Sequence, residues 1–199
     1  MKTSADRIKT FLHRAGTARS QELVKQGISR SELSRMVATG ELVRVARGLY
    51  ALPGHQGGEH DALLMVAKRA PNVLFCLLTA LRLHELTTQA PFEVWIAIGN
   101  KDHPPRLDYP PLRTLRFSDA SLAVGVETRQ IDGMPVHVTG VAKTVADCFK
   151  FRNKIGLDVA LEALREAKRA KKASADELWR YARINRVANV MRPYLEAVA

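Results

Sequence analysis

A segment near the N-terminus carries side chains suited to contacting the edges of DNA bases. Two arginines and two serines share one side of a short helical pattern, and they are Arg30, Ser31, Ser34 and Arg35. Arginine forms a bidentate pair with O6 and N7 of guanine, and small hydroxyl residues let a helix approach base edges closely. Arg30 and Arg35 are therefore the first candidates for base contacts.

The helix that carries these side chains has recognisable ends. Ser29 can accept a hydrogen bond from the amide of Glu32 while the Glu32 carboxylate bonds to the amide of Ser29, a reciprocal capping box that starts the helix at Arg30. Gly40 supplies the left-handed residue that ends it. The apolar stripe on its opposite side consists of Leu33, Met36 and Val37.

Two further helices are predicted before this one. One spans residues 3–15, with Ile8, Phe11 and Leu12 on one face. The other begins near Ser20, contributes Leu23 and Val24 to a small core, and ends in a turn at Gly27-Ile28. We expect this second helix to lie across the phosphate backbone, which makes Arg19 and Ser20 further candidates for DNA contact.

A two-stranded ribbon is predicted after Gly40. The run 41–46 alternates in polarity, Arg47-Gly48 reverses the chain into residues 49–52, and Pro53-Gly54 closes the unit. Arg44 and Arg47 would project from this wing toward the DNA backbone or the minor groove. The order predicts a winged helix-turn-helix, a fold that also serves as a protein-docking module.

The charge of the chain agrees with a polyanionic partner. The 199 residues contain 31 Lys plus Arg against 20 Asp plus Glu, a formal net charge of +11. Residues 1–56 hold ten basic and four acidic side chains, so the positive density is highest there. Such a balance favours nucleic acid but does not define a fold.

The remainder of the chain mixes helical and strand periods. We expect helices at 61–70, 79–86, 141–151, 157–171, 175–182 and 187–198, and strands at 73–78, 92–98, 112–117, 127–131 and 134–138. An Asp132-Gly133 turn joins the last two strands as a hairpin. The predicted fold class is α+β. The winged helix-turn-helix is followed by a small sheet, either mixed or largely antiparallel, and by a C-terminal group of helices.

Domain boundaries are suggested by a composition shift. The polar, glycine-containing stretch 55–58 reads as a linker between a DNA-binding domain at 1–54 and a second domain at 59–199. No apolar stretch approaches the roughly 18 residues needed to span a bilayer, and the chain opens without a signal-like region. These features predict a cytoplasmic protein.

Catalytic patterns in the second domain are weak. Lys143 and Thr144 follow Gly140 without the glycine-rich loop of a phosphate-binding motif, so Lys143 and Asp147 are interpreted as an i,i+4 ion pair. His84 is interpreted as a polar helix cap. Cys76 and Cys148 lie in apolar surroundings as buried thiols. We predict no catalytic residue, metal or cofactor.

Two alternative functions remain open at this point. Acidic residues at strand ends, namely Glu93, Asp119 and Asp132, would form the magnesium site of a nuclease if they converged. The second domain would otherwise sense a small molecule for an ordinary transcription regulator.

The C-terminal helices carry a second basic surface. Its prominent members are Arg165, Lys168, Arg169, Lys172, Arg180 and Arg183. These residues are either a solvated helix exterior or a docking surface for an acidic protein or DNA backbone.

Four motifs stand out along the chain: LVRVARGLYAL in the wing, TAL at 79–81, VTGVAKTVADCFKFRNKIGLDVALEALREA at 138–167, and VMRPYLEA near the C-terminus. Together they resemble the AbiEi antitoxin family of bacterial AbiE toxin-antitoxin systems. The resemblance implies autorepression by an N-terminal domain that binds repeated operator DNA, and a C-terminal domain that counteracts a nucleotidyltransferase toxin. It carries Arg30, Ser34, Arg35, Arg44 and Arg47 over as DNA contacts, and the C-terminal basic helices as the antitoxin surface.

The partners expected on this basis are double-stranded operator DNA and the cognate toxin, with no membrane. The oligomeric state stays open, and binding of single chains to paired half-sites does not require a stable dimer.

Overall fold

The computed structural model describes residues 4–46, 48–54, 60–89, 91, 93–107 and 109–197. The chain forms two compact units, Met1–Leu63 and Leu64–Ala199. The linker predicted at 55–58 lies outside the described residues, so the domain boundaries given above stay a prediction.

Within its described residues the first unit contains three complete helices and three strands. The helices are α1 (Ser4–Ala15), α2 (Ser20–Lys25) and α3 (Arg30–Ala38), and the strands are β1 (Thr17–Arg19), β2 (Val43–Ala46) and β3 (Leu49–Ala51). The strands form an antiparallel sheet in the order β1-β3-β2. The predicted two-stranded ribbon was therefore incomplete, because β1 is too short to show a period of two in the sequence.

Apolar residues of all three helices bury a single core in this unit. The fully buried side chains include Ile8, Leu12, Leu23, Ile28, Leu33, Met36 and Leu42. Phe11 and Val37 pack against them from partly buried positions. The prediction that Val24 belongs to the core was wrong, since its side chain is 42% exposed. It follows Leu23 on α2, and adjacent helical residues face different directions.

The second unit is α+β. Its strands are β4 (Leu74–Phe75), β5 (Val94–Gly99), β6 (Leu112–Phe117), β7 (Val126–Ile131) and β8 (Met134–Thr139). Its helices are α4 (Asp61–Arg69, which starts in the first unit), α5 (Leu77–Leu83), α6 (Asp119–Leu122), α7 (Val141–Lys150), α8 (Arg152–Ile155), α9 (Leu157–Arg169), α10 (Ala175–Ile184) and α11 (Ala188–Ala197).

The five strands form one mixed sheet in the order β6-β5-β4-β8-β7. β5 pairs with β6 and β4 with β8 in parallel, whereas the β4–β5 and β7–β8 pairs are antiparallel. The sheet is therefore mixed rather than largely antiparallel. The β7–β8 hairpin is as predicted, and Asp132 and Gly133 both have the positive φ that its tight turn requires.

One predicted strand of this unit was mostly wrong. Of the apolar run 73–78 only Leu74 and Phe75 form a strand, because Cys76 is the N-cap residue of a helix that begins at Leu77. The run is buried in both conformations, so its hydrophobicity alone could not separate strand from helix.

The core of the second unit surrounds α7. Residues 142–149 of this helix are buried, with α5, α9, α10 and α11 packed around it. The buried set includes two charged residues, Lys143 and Asp147. Because these two charged side chains lie on a buried helix, their hydrogen-bonding partners must come from the protein itself.

Candidate nucleic-acid interface

Helix α3 begins and ends where its sequence predicts. The Ser29 hydroxyl accepts a hydrogen bond from the amide of Glu32 at 3.1 Å, and Gly40 adopts a φ of +73° just after the helix. The second half of the predicted capping box was wrong, because the Glu32 carboxylate faces Arg35 rather than the amide of Ser29. One half of the box is sufficient to start the helix at Arg30.

The outer face of α3 is cationic and hydroxylated. Arg30, Ser31, Ser34 and Arg35 are all exposed, whereas Leu33 and Met36 on the opposite side are fully buried. The Ser34 hydroxyl donates to the carbonyl of Arg30 at 3.1 Å, and the hydroxyls of Ser31 and Ser29 are 2.9 Å apart. The Ser34 hydroxyl thus has a partner in the helix and the Ser31 hydroxyl one at its N-cap, so the two guanidinium groups are the outward polar feature.

Arg35 lies between two carboxylates. Its Nη1 is 3.8 Å from Oε1 of Glu41, and its Nη2 is 3.9 Å from Oε1 of Glu32. Glu41 is held in turn by Lys9 Nζ at 3.1 Å and by the Thr39 hydroxyl at 3.1 Å. The hydrogen bonds from Lys9 and Thr39 lower the pKa of the Glu41 carboxyl, so this group is ionised at neutral pH.

The start of α2 is joined to the wing. The amide of Ser20 donates to the carbonyl of Gly48 at 2.9 Å, and the Ser20 hydroxyl donates to the same oxygen at 3.2 Å. The amide of Arg19 donates to the Glu22 carboxylate at 2.9 Å, which caps the helix. Ser20 is half-exposed, and its two hydrogen bonds to Gly48 connect the start of α2 to the wing.

The wing presents Arg44 on an irregular strand. Arg44 is exposed and pairs with Tyr50, whereas Ala46 pairs with Leu49, so the strand bulges at Val45. The side chains of Val43 and Val45 are 47% and 44% exposed. Arg47, the second predicted wing contact, lies outside the described residues.

The predicted partner surface of the second unit is partly engaged in local contacts. Arg165, Arg180 and Arg183 are exposed, and Arg180 lies over the ring of Tyr181. Arg169 pairs with Glu166. Lys172 donates to the carbonyl of His84 at 2.6 Å and to the Glu85 carboxylate at 3.1 Å, and Lys168 is half-buried.

The predicted Lys143–Asp147 ion pair is confirmed at 3.1 Å, and both side chains are fully buried. The sequence did not indicate its partners. Lys143 also donates to the Ser121 hydroxyl at 3.0 Å, and the Asn185 amide donates to Asp147 at 2.6 Å. Burial raises the pKa of the Asp147 carboxyl, while Lys143 and Asn185 act in the opposite direction. This network joins α6, α7 and the end of α10.

His84 caps α5 as predicted, since its amide donates to the carbonyl of Ala80. Its imidazole is buried, with Nε2 at 2.6 Å from the carbonyl of Thr139 and Nδ1 at 2.8 Å from Nη2 of Arg129. Nε2 must donate to the carbonyl and Nδ1 must accept from the guanidinium, which defines a neutral tautomer. Burial accordingly lowers the pKa of His84.

The three carboxylates considered for a magnesium site do not converge in the sheet. Glu93 precedes β5 and Asp119 follows β6, and these strands are parallel and six residues long, so the two residues lie at opposite ends, about 20 Å apart. Asp132 precedes β8, three strand spacings or about 14 Å from β6. Among the described residues, no group of three or more His, Cys, Asp or Glu is arranged to hold a metal ion.

The arrangement of the first unit defines its class. Helices α2 and α3 are joined by a turn at Gly27-Ile28, a β2–β3 wing follows α3, and β1 completes the sheet. These features together are a winged helix-turn-helix.

Residues 6–53 match the family model described as "Transcriptional regulator, AbiEi antitoxin". This match confirms, over that segment, the resemblance to the AbiEi antitoxin family of transcriptional regulators seen in the sequence. The match supports an antitoxin regulator role in general, and with it DNA and a toxin as the kinds of partner.

The fold also has a counterpart among solved structures. The chain is similar to the crystal structure of the RV2827C protein from Mycobacterium tuberculosis, with a TM-score of 0.63 and 14% sequence identity over 100% of this chain and 81% of that chain. At this identity the likeness concerns the fold alone. No curated protein matches the chain in sequence. Within the described residues, none of the helices has the length and apolar character needed to cross a bilayer.

Proposed function

We propose that this protein represses its own operon by binding operator DNA through residues 1–54. The observation that supports this most directly is the outer face of α3, where Arg30 and Arg35 are exposed opposite a buried apolar stripe. Such a face fits the major groove, where arginine distinguishes guanine from other bases. The protein acts in this proposal by binding, without catalysing a reaction.

The contacts divide by role. Arg30 and Arg35 contact bases, with Ser31 and Ser34 allowing close approach. Arg44 on the wing and Arg19 at the start of α2 contact phosphates and position the protein, as does Arg47 on the evidence of the sequence. Phosphate contacts supply affinity that depends on salt, and base contacts supply sequence preference.

We further propose that residues 59–199 counteract a cognate nucleotidyltransferase toxin. The exposed Arg165, Arg180 and Arg183 are the best candidates for contacts, since Lys172 already bonds to His84 and Glu85. Direct capture of the toxin predicts that the two proteins co-purify in high salt. Indirect antagonism predicts rescue of cell growth without co-purification. A separate test is deletion of residues 1–58: loss of rescue would contradict the assignment of the antitoxin role to residues 59–199.

Fluorescence anisotropy tests the DNA-binding proposal. The full-length protein is titrated into a labelled duplex taken from immediately upstream of its gene and into a scrambled duplex of equal length, at several salt concentrations. We expect at least tenfold tighter binding to the upstream duplex. Equal, weak and salt-sensitive binding to both would reduce the arginines to generic charge and contradict the proposal.

A further inference from the structure

Arg35 is one of two exposed arginines on α3, and its surroundings differ from those of Arg30. Carboxylates lie near both of its terminal nitrogens, Glu41 at 3.8 Å from Nη1 and Glu32 at 3.9 Å from Nη2. Acidic residues on a surface that meets phosphate reduce affinity for any DNA, because they repel the backbone. Their position at a base-contacting arginine therefore needs an explanation.

The Glu41 carboxylate is itself fixed. Lys9 of α1 contacts its Oε2 at 3.1 Å, and the Thr39 hydroxyl donates to its Oε1 at 3.1 Å. Oε1 is also the oxygen that faces Arg35, so a chain of contacts runs from α1 through Glu41 to the guanidinium. An arginine held in this way loses less side-chain freedom when it binds.

We propose that Glu41 is a positioning residue for Arg35 and that it determines sequence specificity; this inference rests on the DNA-binding function proposed above. Each terminal nitrogen of arginine carries two N–H groups. One group on a nitrogen can face the carboxylate while another faces guanine, so Glu41 supports the base contact without competing for it. Supporting contacts behind a primary contact hold it in productive geometry.

The proposal predicts opposite effects on two kinds of DNA. On the upstream duplex, Glu41→Gln weakens binding about three- to fivefold, as expected for loss of an exposed ion pair. On a scrambled duplex, the same change tightens binding about twofold, because one negative charge leaves a surface that meets phosphate. The ratio of the two affinities therefore falls by about six- to tenfold.

Two variants of the full-length chain separate positioning from charge. Thr39→Val removes a hydroxyl whose single hydrogen is shared between the Glu41 carboxylate and the Met36 carbonyl, and it keeps the Glu41 charge. We therefore expect a smaller loss on the upstream duplex and no gain on the scrambled one, and the unfolding temperature reports any effect of the Met36 contact on the end of α3. Glu196→Gln removes one negative charge from the exposed part of α11, in the second unit, and controls for net charge. In an Arg35→Ala background, Glu41→Gln should no longer weaken binding to the upstream duplex.

The measurement is the same anisotropy titration at fixed ionic strength, with thermal unfolding of each variant recorded beside it. Equal weakening on both duplexes with a lower unfolding temperature would show a folding role and overturn the inference. Equal tightening on both, as for Glu196→Gln, would show generic charge and also overturn it. If the wild-type protein has no preference, the proposed function itself fails, which is a distinguishable result.

Discussion

The Arg35–Glu41 pair of the first unit and the Lys143–Asp147 pair of the second unit differ in every physical respect that matters for their use. The first is 3.8 Å long, with side chains 57% and 32% exposed, and the second is 3.1 Å long and fully buried. Exposed pairs contribute about 0–1 kcal/mol and can be rearranged by a partner. Breaking a buried pair leaves an uncompensated charge, at a cost of about 3–5 kcal/mol.

This difference separates the charged groups that a partner can reach from those it cannot. The first unit keeps its charges on the outside, where DNA can replace water around them. The second unit uses Lys143 and Asp147, with Ser121 and Asn185, to hold three helices in a single arrangement. Because Lys143 and Asp147 are fully buried, a partner of the second unit can contact only the side chains on the surface of that unit.

The largest expected effect comes from Asp147→Ala. We expect the free energy of unfolding to fall by about 3–5 kcal/mol, because Lys143 stays buried without its carboxylate and the Asn185 amide loses its acceptor. Urea unfolding measures the change, with Glu41→Gln as a solvent-accessible control that should lower the free energy of unfolding far less. Equal small effects would show that the second pair is not isolated from water. Replacing the pair together, as Lys143→Met with Asp147→Leu, should recover part of the loss.

Arg35→Ala is expected to act on binding rather than on folding. Operator affinity should fall by about 1–3 kcal/mol with relaxed sequence preference, because a bidentate base contact is lost. Arg44→Ala should weaken operator and scrambled duplexes alike and reduce the salt slope by about one unit. Titrations against both duplexes test the two roles, and equal losses for Arg35→Ala on both would contradict its assignment to bases.

His84 provides a pH-dependent test of the second unit. Its lowered pKa means that the native state binds a proton less readily than the unfolded chain, whose imidazole titrates near 6.5. Its contribution to stability is therefore complete above pH 6.5 and is lost as pH falls from there through the lower native pKa, by at most about 1.4 kcal/mol per pH unit. Urea unfolding between pH 7.5 and 5 should show a flatter profile for His84→Gln than for His103→Gln, an exposed control. Identical profiles would mean that His84 titrates normally.

Local features of the fold were predictable from the sequence, and contacts between distant residues were not. Ser29, Gly40 and the Asp132-Gly133 turn each act over a few residues, so α3 and the β7–β8 hairpin were located correctly. Strand β1 has only three residues and depends on β3, whose paired residues follow 30 to 34 positions later. Its sequence has no independent strand signal.

The candidate sites follow the same division. The exposed face of α3 could be read from its period, and so could the spacing of Lys143 and Asp147. The contact of Lys9 with Glu41 joins residues 32 positions apart, and that of Asp147 with Asn185 spans 38. Such pairs depend on how helices pack, which hydrophobic periodicity does not define.

The smallest expected effect comes from Ser20→Ala, which tests whether Ser20 contacts DNA or positions the wing. The variant keeps the hydrogen bond from the backbone amide of residue 20 to the Gly48 carbonyl and loses only the one from the hydroxyl. We expect the free energy of unfolding to fall by about 0.5–1.5 kcal/mol. If Ser20 acts through the wing, amides of residues 48–51 should exchange faster with deuterium, and Ser20→Thr should restore them. The effect of Ser20→Ala on operator binding should then disappear in an Arg44→Ala background, because the DNA contact that the wing supplies is already absent there. Additive losses with unchanged exchange would instead show that the Ser20 hydroxyl reaches a phosphate directly.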